Sequence, residues 1–309
     1  IRKLPGSLRE KDWDITTIMD RENGVLIDLH SGHLGKNIYG IALDIGTTSL
    51  VMYLVDLLSG KVIGTRSGYN PQIKYGEDII NRIVYSNKRG GLSRLRGVMV
   101  DTLNQMISKM LDSSDINARD VVSLMIAGNP TMMHLFYGVP PRYIREEPYV
   151  TVANRFSDST TREVGIKHLS NARVYCLPGI ASYLGGDIAS GVLASGMYRE
   201  KELALFIDLG TNGELVVGNS EWMMGCSCSA GPAFEGGGTR CGMRAMAGAI
   251  EKIEITDTDL TYETINHTKP KGICGSGLIA TIHELAKNRI IGQDGKFDRN
   301  RKDDRLIIE

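Results

Sequence analysis

The sequence predicts an α/β protein organised around an internal repeat. One observation is that Ile38 to Val55, IYGIALDIGTTSLVMYLV, and Leu203 to Gly218, LALFIDLGTNGELVVG, share a pattern: an apolar run, then Asp, one apolar residue, Gly and Thr, then a second apolar run. Runs this short and apolar suit buried strands, and Gly with small hydroxyl residues between them suits a tight turn. The other is that apolar residues between the two copies recur at helical spacing, most clearly from Leu92 to Leu111, where they fall on one face.

Composition sets the outer bounds. With 309 residues, 42% of them hydrophobic and 23% charged, the chain is long enough for two lobes with sizeable cores. Lys plus Arg and Asp plus Glu each number 36, so no net charge draws the chain to nucleic acid or to an anionic membrane. No apolar segment approaches the ~20 residues that a membrane span needs, and the first residues form no signal peptide. Five cysteines at irregular spacing argue against a disulfide framework and fit a reducing compartment, so a cytoplasmic location is expected.

Taken in order, residues 1 to 37 mix short β-like runs, Asp14 to Met19 and Gly24 to Leu29, with turn residues. They read as the end of a small preceding module plus a linker, and a start on Ile predicts a chain cut from something longer. After the first repeat come a strand over Gly60 to Ser67 and a polar stretch, Tyr69 to Asp78, leading into a helix from about Glu77 to Ser86. Its first-turn acids complement the helix dipole. Val121 to Ala127 reads as a buried strand ending in Gly128-Asn129-Pro130-Thr131, before a short helical pattern from Met132 to Phe136. Asn129 and Thr131 either line a crevice at the carboxyl end of that strand or cap the helix. Residues 138 to 170 read as an irregular excursion, and Val174 to Pro178 as the last strand of the first lobe.

Gly185 to Gly196 follows, with small residues at 189, 190, 191, 194, 195 and 196 that let a helix pack its backbone closely on a neighbour; the glycine pair places Asp187 in its first turn. Beyond the second repeat, Cys226, Cys228, Cys241 and Cys274 lack a C-x₂-C spacing and read as buried free thiols, not metal ligands. The run Gly236-Gly237-Gly238 allows close backbone approach to a ligand. Gly275-Ser276-Gly277 opens an apolar helical pattern and can contact a phosphate or sugar.

Within each repeated turn, glycine lets the backbone approach a ligand, and successive N–H groups form an anion-binding concavity. The leading carboxylate cannot itself bind phosphate; it makes sense facing magnesium, directly or through water. One D-x-G-T alone reads as an ordinary hairpin, whereas two copies at strand-turn-strand junctions point to a duplicated functional turn.

These turns resemble the phosphate loops of the actin, sugar-kinase and seventy-kilodalton heat-shock ATPase superfamily. That resemblance implies an actin-like (ribonuclease H-like) fold, with 38–200 as the first lobe and 201–309 as the second, apparently incomplete at its C-terminus. It assigns Asp44 and Asp208 to magnesium through water, and Gly46, Thr47, Thr48, Ser49, Gly210, Thr211, Asn212 and Gly213 to the phosphates of ATP. Gly236, Gly237, Gly238, Gly275, Ser276 and Gly277 become further nucleotide contacts, and Asp187 orients the attacking water.

A closer resemblance covers Ile38 to Glu309. YGIALDIGTTS, NPQIKYGEDIINRI, AGNPTMMHLF, LPGIASYLGGDIASGVLASG, FIDLGTNGELVVG, CSAGPAFEGGG and GICGSGLI are similar to the ATPase domain of the reductive activators of corrinoid-dependent enzymes. It implies that ATP with Mg2+ drives the return of cobalt(II) corrinoid to cobalt(I). The partner is a corrinoid iron–sulfur protein or a corrinoid methyltransferase protein, with a homodimer possible in such a family. Such activators hold a [2Fe-2S] cluster on a separate domain whose cysteine pattern does not occur here, so this chain alone is not expected to deliver electrons. Nor does a glycine-rich adenosine loop appear before Glu309. Two other readings share these residues: a docking scaffold switched by nucleotide without turnover, and a small-molecule kinase of the same superfold.

Overall fold

The computed structural model describes residues 4–21, 24–33, 38–169, 172–229, 239–243, 245–256 and 259–297. They form two compact units, one with the described residues up to 206 together with 215–226, the other with 207–214 and the described residues from 227 onward.

The first unit begins with helix α1 (Leu4–Glu10) and an antiparallel hairpin of β1 (Ile15–Asp20) and β2 (Val25–Ser31). The two strands follow the β-like runs of the sequence, while α1 was not anticipated. The main sheet comprises β3 (Tyr39–Ile45), β4 (Ser49–Asp56), β5 (Val62–Tyr69), β6 (Val121–Gly128), β7 (Ser159–Thr160) and β8 (Arg173–Cys176). Its order is β5-β4-β3-β6-β8-β7, with β3, β6 and β8 parallel and the others antiparallel to their neighbours. Asp44 lies opposite Ala127 and Ile45 opposite Gly128, so β3 and β6 end level with each other.

Helices α2 (Ile79–Ser86), α3 (Gly91–Ser114), α4 (Pro130–Tyr137), α5 (Thr161–Val164) and α6 (Gly186–Ser195) complete this unit's main elements. The strands bury alternate residues, Ile41, Leu43 and Ile45 on β3 and Leu50, Met52 and Leu54 on β4. From α3 come Leu95, Met99, Leu103 and Ile107, four residues apart, to join the same core. The expected helical face is therefore the face that covers the sheet.

The second repeat forms β9 (Ala204–Leu209) and β10 (Asn212–Gly218), which with β11 (Met223–Ser229) make a sheet of order β11-β10-β9. Here the expectation of a buried strand fails. On β9, Leu205, Ile207 and Leu209 are 58%, 49% and 62% exposed, whereas the equivalent residues of β3 are at most 2% exposed. β3 runs between β4 and β6 beneath a long helix, while among the described residues β9 lies at the edge of its sheet with one covered face. Of the small residues of α6, Gly191 serves the packing read from it, since a Cβ there would lie 2.3 Å from the ring of Phe206, whereas Ala194 and Ser195 are exposed and a Cβ on Gly196 would meet nothing within 4 Å.

In the second unit, β12 (Ala249–Ile255) pairs antiparallel with β13 (Leu260–Thr264) and parallel with the short β14 (Gly272–Ile273). Helix α7 (Gly275–Lys287) packs on β12, and Ala249, Ile250, Ile253, Cys274, Leu285 and Ile290 are buried there. None of the three strands was read from the sequence.

Candidate functional site

The first unit gathers its predicted site residues at the carboxyl end of β3 and β6. Asp44 is exposed at the next-to-last position of β3. The chain then reverses at Gly46, where a Cβ would sit 2.7 Å from the carbonyl oxygen of Ser49, so the turn closes only over glycine. Thr47 and Thr48 are buried in the turn, and Ser49 opens β4 opposite Tyr69.

Asn129 joins this turn to α4. Its Oδ1 accepts from the Met132 amide at 3.0 Å, capping the helix, while its Nδ2 donates to Thr47 Oγ1 at 3.0 Å. The capping expected of Asn129 is present, and the other end of the same amide holds the Thr47 hydroxyl. Thr131 is buried in the first turn of α4.

Asp187 arrives by close backbone packing. A Cβ on Gly185 would lie 2.4 Å from Gly128 O and 2.6 Å from Asn129 Cα, so the start of α6 rests directly on the β6–α4 junction. Half-buried in the first turn, Asp187 accepts from the Ile188 amide at 2.9 Å through Oδ1. The N-termini of α4 and α6 both begin at this junction, and the positive ends of their dipoles favour an anion there.

The sequence missed the other side of the turn. Asn70 is fully buried; its Nδ2 donates to Gly46 O at 2.8 Å and its amide to Thr48 O at 2.9 Å. Arg82 is also fully buried, donating through Nε to Gly76 O at 2.9 Å and through Nη1 to Met132 Sδ at 3.3 Å. Burial pushes the Arg82 pKa down to about 10, with Asp78 opposing the shift, so it stays charged at neutral pH. The signal available was a run of polar residues, Asn70, Gln72 and Arg82, inside a segment read as loop and helix start.

In the second unit, Asp208 is half-buried and the turn after it is closed by the Gly210 amide donating to Asn212 O at 3.0 Å. Gly213 is buried and accepts from Cys228 Sγ at 3.2 Å. Gly277 has a packing role: its Cβ would fall 2.0 Å from Ile250 O, so α7 approaches β12 backbone to backbone. Ser276 Oγ lies 3.2 Å from Cys274 Sγ. Gly236, Gly237 and Gly238 fall outside the described residues. The thiol expectation is corrected: Cys226, Cys228 and Cys241 are exposed and only Cys274 of the four is buried. Among the described residues no helix is long and apolar enough to cross a membrane.

The fold is of the actin-like ATPase and kinase class: residues 202–309 match the family model described as the C-terminal domain of RACo, the ASKHA domain. Residues 39–200 match the model described as the RACo middle region. The chain belongs to the RACo family. It is similar to the corrinoid activation enzyme RamQ of Eubacterium limosum, 34% identical over 89% of this chain and 46% of the relative. The [Co(II) methylated amine-specific corrinoid protein] reductase of Methanosarcina barkeri is 28% identical over 69% of this chain and 40% of its own length. A solved structure of a reductive activator for corrinoid, iron–sulfur protein superposes with a TM-score of 0.90 at 42% identity, covering 96% of this chain and 48% of that one. The chain thus spans about half the length of the relatives it matches.

Proposed function

We propose that this chain is the ATP-binding and ATP-hydrolysing part of an activator that returns cobalt(II) corrinoid to cobalt(I) on a corrinoid protein. The observation that carries the reading is the convergence of Asp44, the Gly46–Thr48 turn, Asn129 and the α6 N-terminus with Asp187 at one end of the first unit's sheet. Such a cradle fits a magnesium–phosphate group: glycine at 46 lets the turn close tightly on the Ser49 carbonyl, and Thr47 and Asn129 bring polar atoms to its edge.

Magnesium supplies charge neutralisation on the phosphates when bound. Asp44 holds it through water, the amides and hydroxyls of Gly46, Thr47, Thr48 and Ser49 take phosphate oxygens, and Asp187 orients the attacking water. The second unit presents the corresponding set, Asp208 with Gly210, Thr211, Asn212 and Gly213, and is assigned the same duties; Gly275 and Ser276 add contacts at the start of α7. Family membership and the corrinoid proteins named for one relative and one solved structure support the corrinoid partner. The protein acts in the cytoplasm, and the electrons come from a cluster bound elsewhere.

Turnover tests this reading. The full-length protein is expected to release inorganic phosphate slowly from MgATP, faster with the corrinoid partner, and not at all after magnesium is chelated. Asp187→Ala should cut that rate at least ~100-fold, the lower range for a positioned proton acceptor. Wild-type turnover in Asp187→Ala removes Asp187 from the mechanism. Binding without phosphate release selects the switched scaffold, and γ-phosphate appearing on an organic acceptor selects the kinase.

A further inference from the structure

We propose that Asn70 is a positioning residue for the first phosphate turn, tying down its carbonyls so that its amides and hydroxyls face phosphate oxygens. The inference rests on the nucleotide reading above and adds a residue to it.

Asn70 follows β5 and lies 24 residues beyond the turn, yet it brackets that turn on both sides. Its Nδ2 donates to the carbonyl of Gly46 at 2.8 Å, and its backbone amide to the carbonyl of Thr48 at 2.9 Å. Oδ1 is engaged too, accepting from the Gln72 amide at 3.0 Å, which fixes the side chain's orientation. No solvent reaches Asn70. Burying an amide is unfavourable unless its polar atoms are met, so an apolar residue would suit a position with only a packing role.

The hairpin does not need Asn70 for its register. β3 and β4 pair continuously from Tyr39 with Asp56 to Ile45 with Leu50, and that ladder brings the turn together. What the ladder leaves open is the tilt of the peptide planes within 46–48. A ligand-binding turn works by pointing successive N–H groups to one side, which requires its carbonyls to be held elsewhere. Asn70 holds two of them from inside the protein while Asn129 holds the Thr47 hydroxyl. Behind it, Met132 Sδ lies 3.6 Å from Asn70 Nδ2 and 3.3 Å from Nη1 of the buried Arg82, so the amide has no room to swing away.

The test uses the full-length protein with Asn70→Ser and Asn70→Asp. Serine keeps a side-chain oxygen for the Gln72 amide but loses the amide donor to Gly46; aspartate keeps the shape and that acceptor and sets a second acceptor against the Gly46 carbonyl. Calorimetry should show MgATP affinity lowered about tenfold in Asn70→Ser and further in Asn70→Asp, the size expected for losing and then opposing one hydrogen bond. Adenosine, which has no phosphate, should bind as it does to the unaltered protein. Folded Asn70→Ser that keeps wild-type MgATP affinity, or that loses MgATP and adenosine alike, overturns the proposal. Hydrogen exchange of the unaltered protein gives a second arm that needs no variant: MgATP should slow the amides of 46–48 and adenosine should not, and equal exchange in both overturns it. Unaltered protein that binds no MgATP overturns the nucleotide reading and this inference together, whereas binding with an indifferent Asn70 overturns the inference alone.

Discussion

Single side chains in this protein often carry two duties, and their environments fix which atoms do what. His134 is fully buried, with Nε2 accepting from the Val152 amide at 3.2 Å, so its proton sits on Nδ1 and is given to Pro130 O at 2.7 Å. The bond from Val152 requires the neutral ring, whereas the bond to Pro130 is open to either form. Burial lowers its pKa from the usual 6.5, and the Pro130 bond only partly opposes this. Because the unfolded chain takes up this proton first, the stability tied to His134 is intact above pH 6.5 and is lost as pH falls from there toward the folded pKa. Urea midpoints measured from pH 7.5 downward should decline below that value with a slope of at most ~1.4 kcal/mol per pH unit from this residue. In His134→Leu that portion of the slope should vanish, at the cost of an unpaired Val152 amide. An unchanged slope would mean that other groups set the acid limit.

At the scale of elements, the agreement between pattern and structure depended on what lay on either side. The apolar spacing predicts α3 over Leu92 to Leu111 and the helix spans Gly91–Ser114, because that spacing has one face to satisfy. α2 starts two residues later than read, since the Asp78 Oδ1 accepts from the Asn81 amide at 2.7 Å and so caps the helix from outside it. Repeat copies that look alike in sequence diverge more: β3 is interior and β9 an edge. The seating of α6 offers a direct test. Gly185→Ala keeps an ordinary backbone, but its new methyl meets Gly128 O and the Asn129 backbone. Overpacking of this kind costs about 1–3 kcal/mol, so thermal unfolding without nucleotide should shift downward. Turnover should fall as well, because the shift moves Asp187 off the β6–α4 junction. Full stability and full activity in Gly185→Ala would show that the junction yields without consequence.

For the molecule as a whole, the two units differ in how much apolar surface they bury. The first has a continuous core from β3, β4, β6, α3 and α4, whereas among the described residues the second buries six apolar residues around β12 and α7. Stability scales with buried apolar area, so the second unit should unfold first. Calorimetric melting is expected to show two transitions, with Leu285→Ala lowering the first by several degrees and leaving the second in place. One transition shifted as a whole would show that the units unfold together.

By itself the sequence determined the paired D-x-G-T turns, the amphipathic helix that covers the first sheet, and the glycines that place Asp187 at a helix start. These are local: they follow from periodicity 2 or 3.6, from turn chemistry and from the absence of a Cβ. Only the tertiary structure decided that Asn70 and Asn129 meet around one turn, that Gly185 rests on Gly128 and Asn129, that β9 is exposed where β3 is buried, and that three cysteines face outward. Those outcomes depend on which strand lies beside which, and strand neighbours are chosen by packing over long separations that no local pattern records.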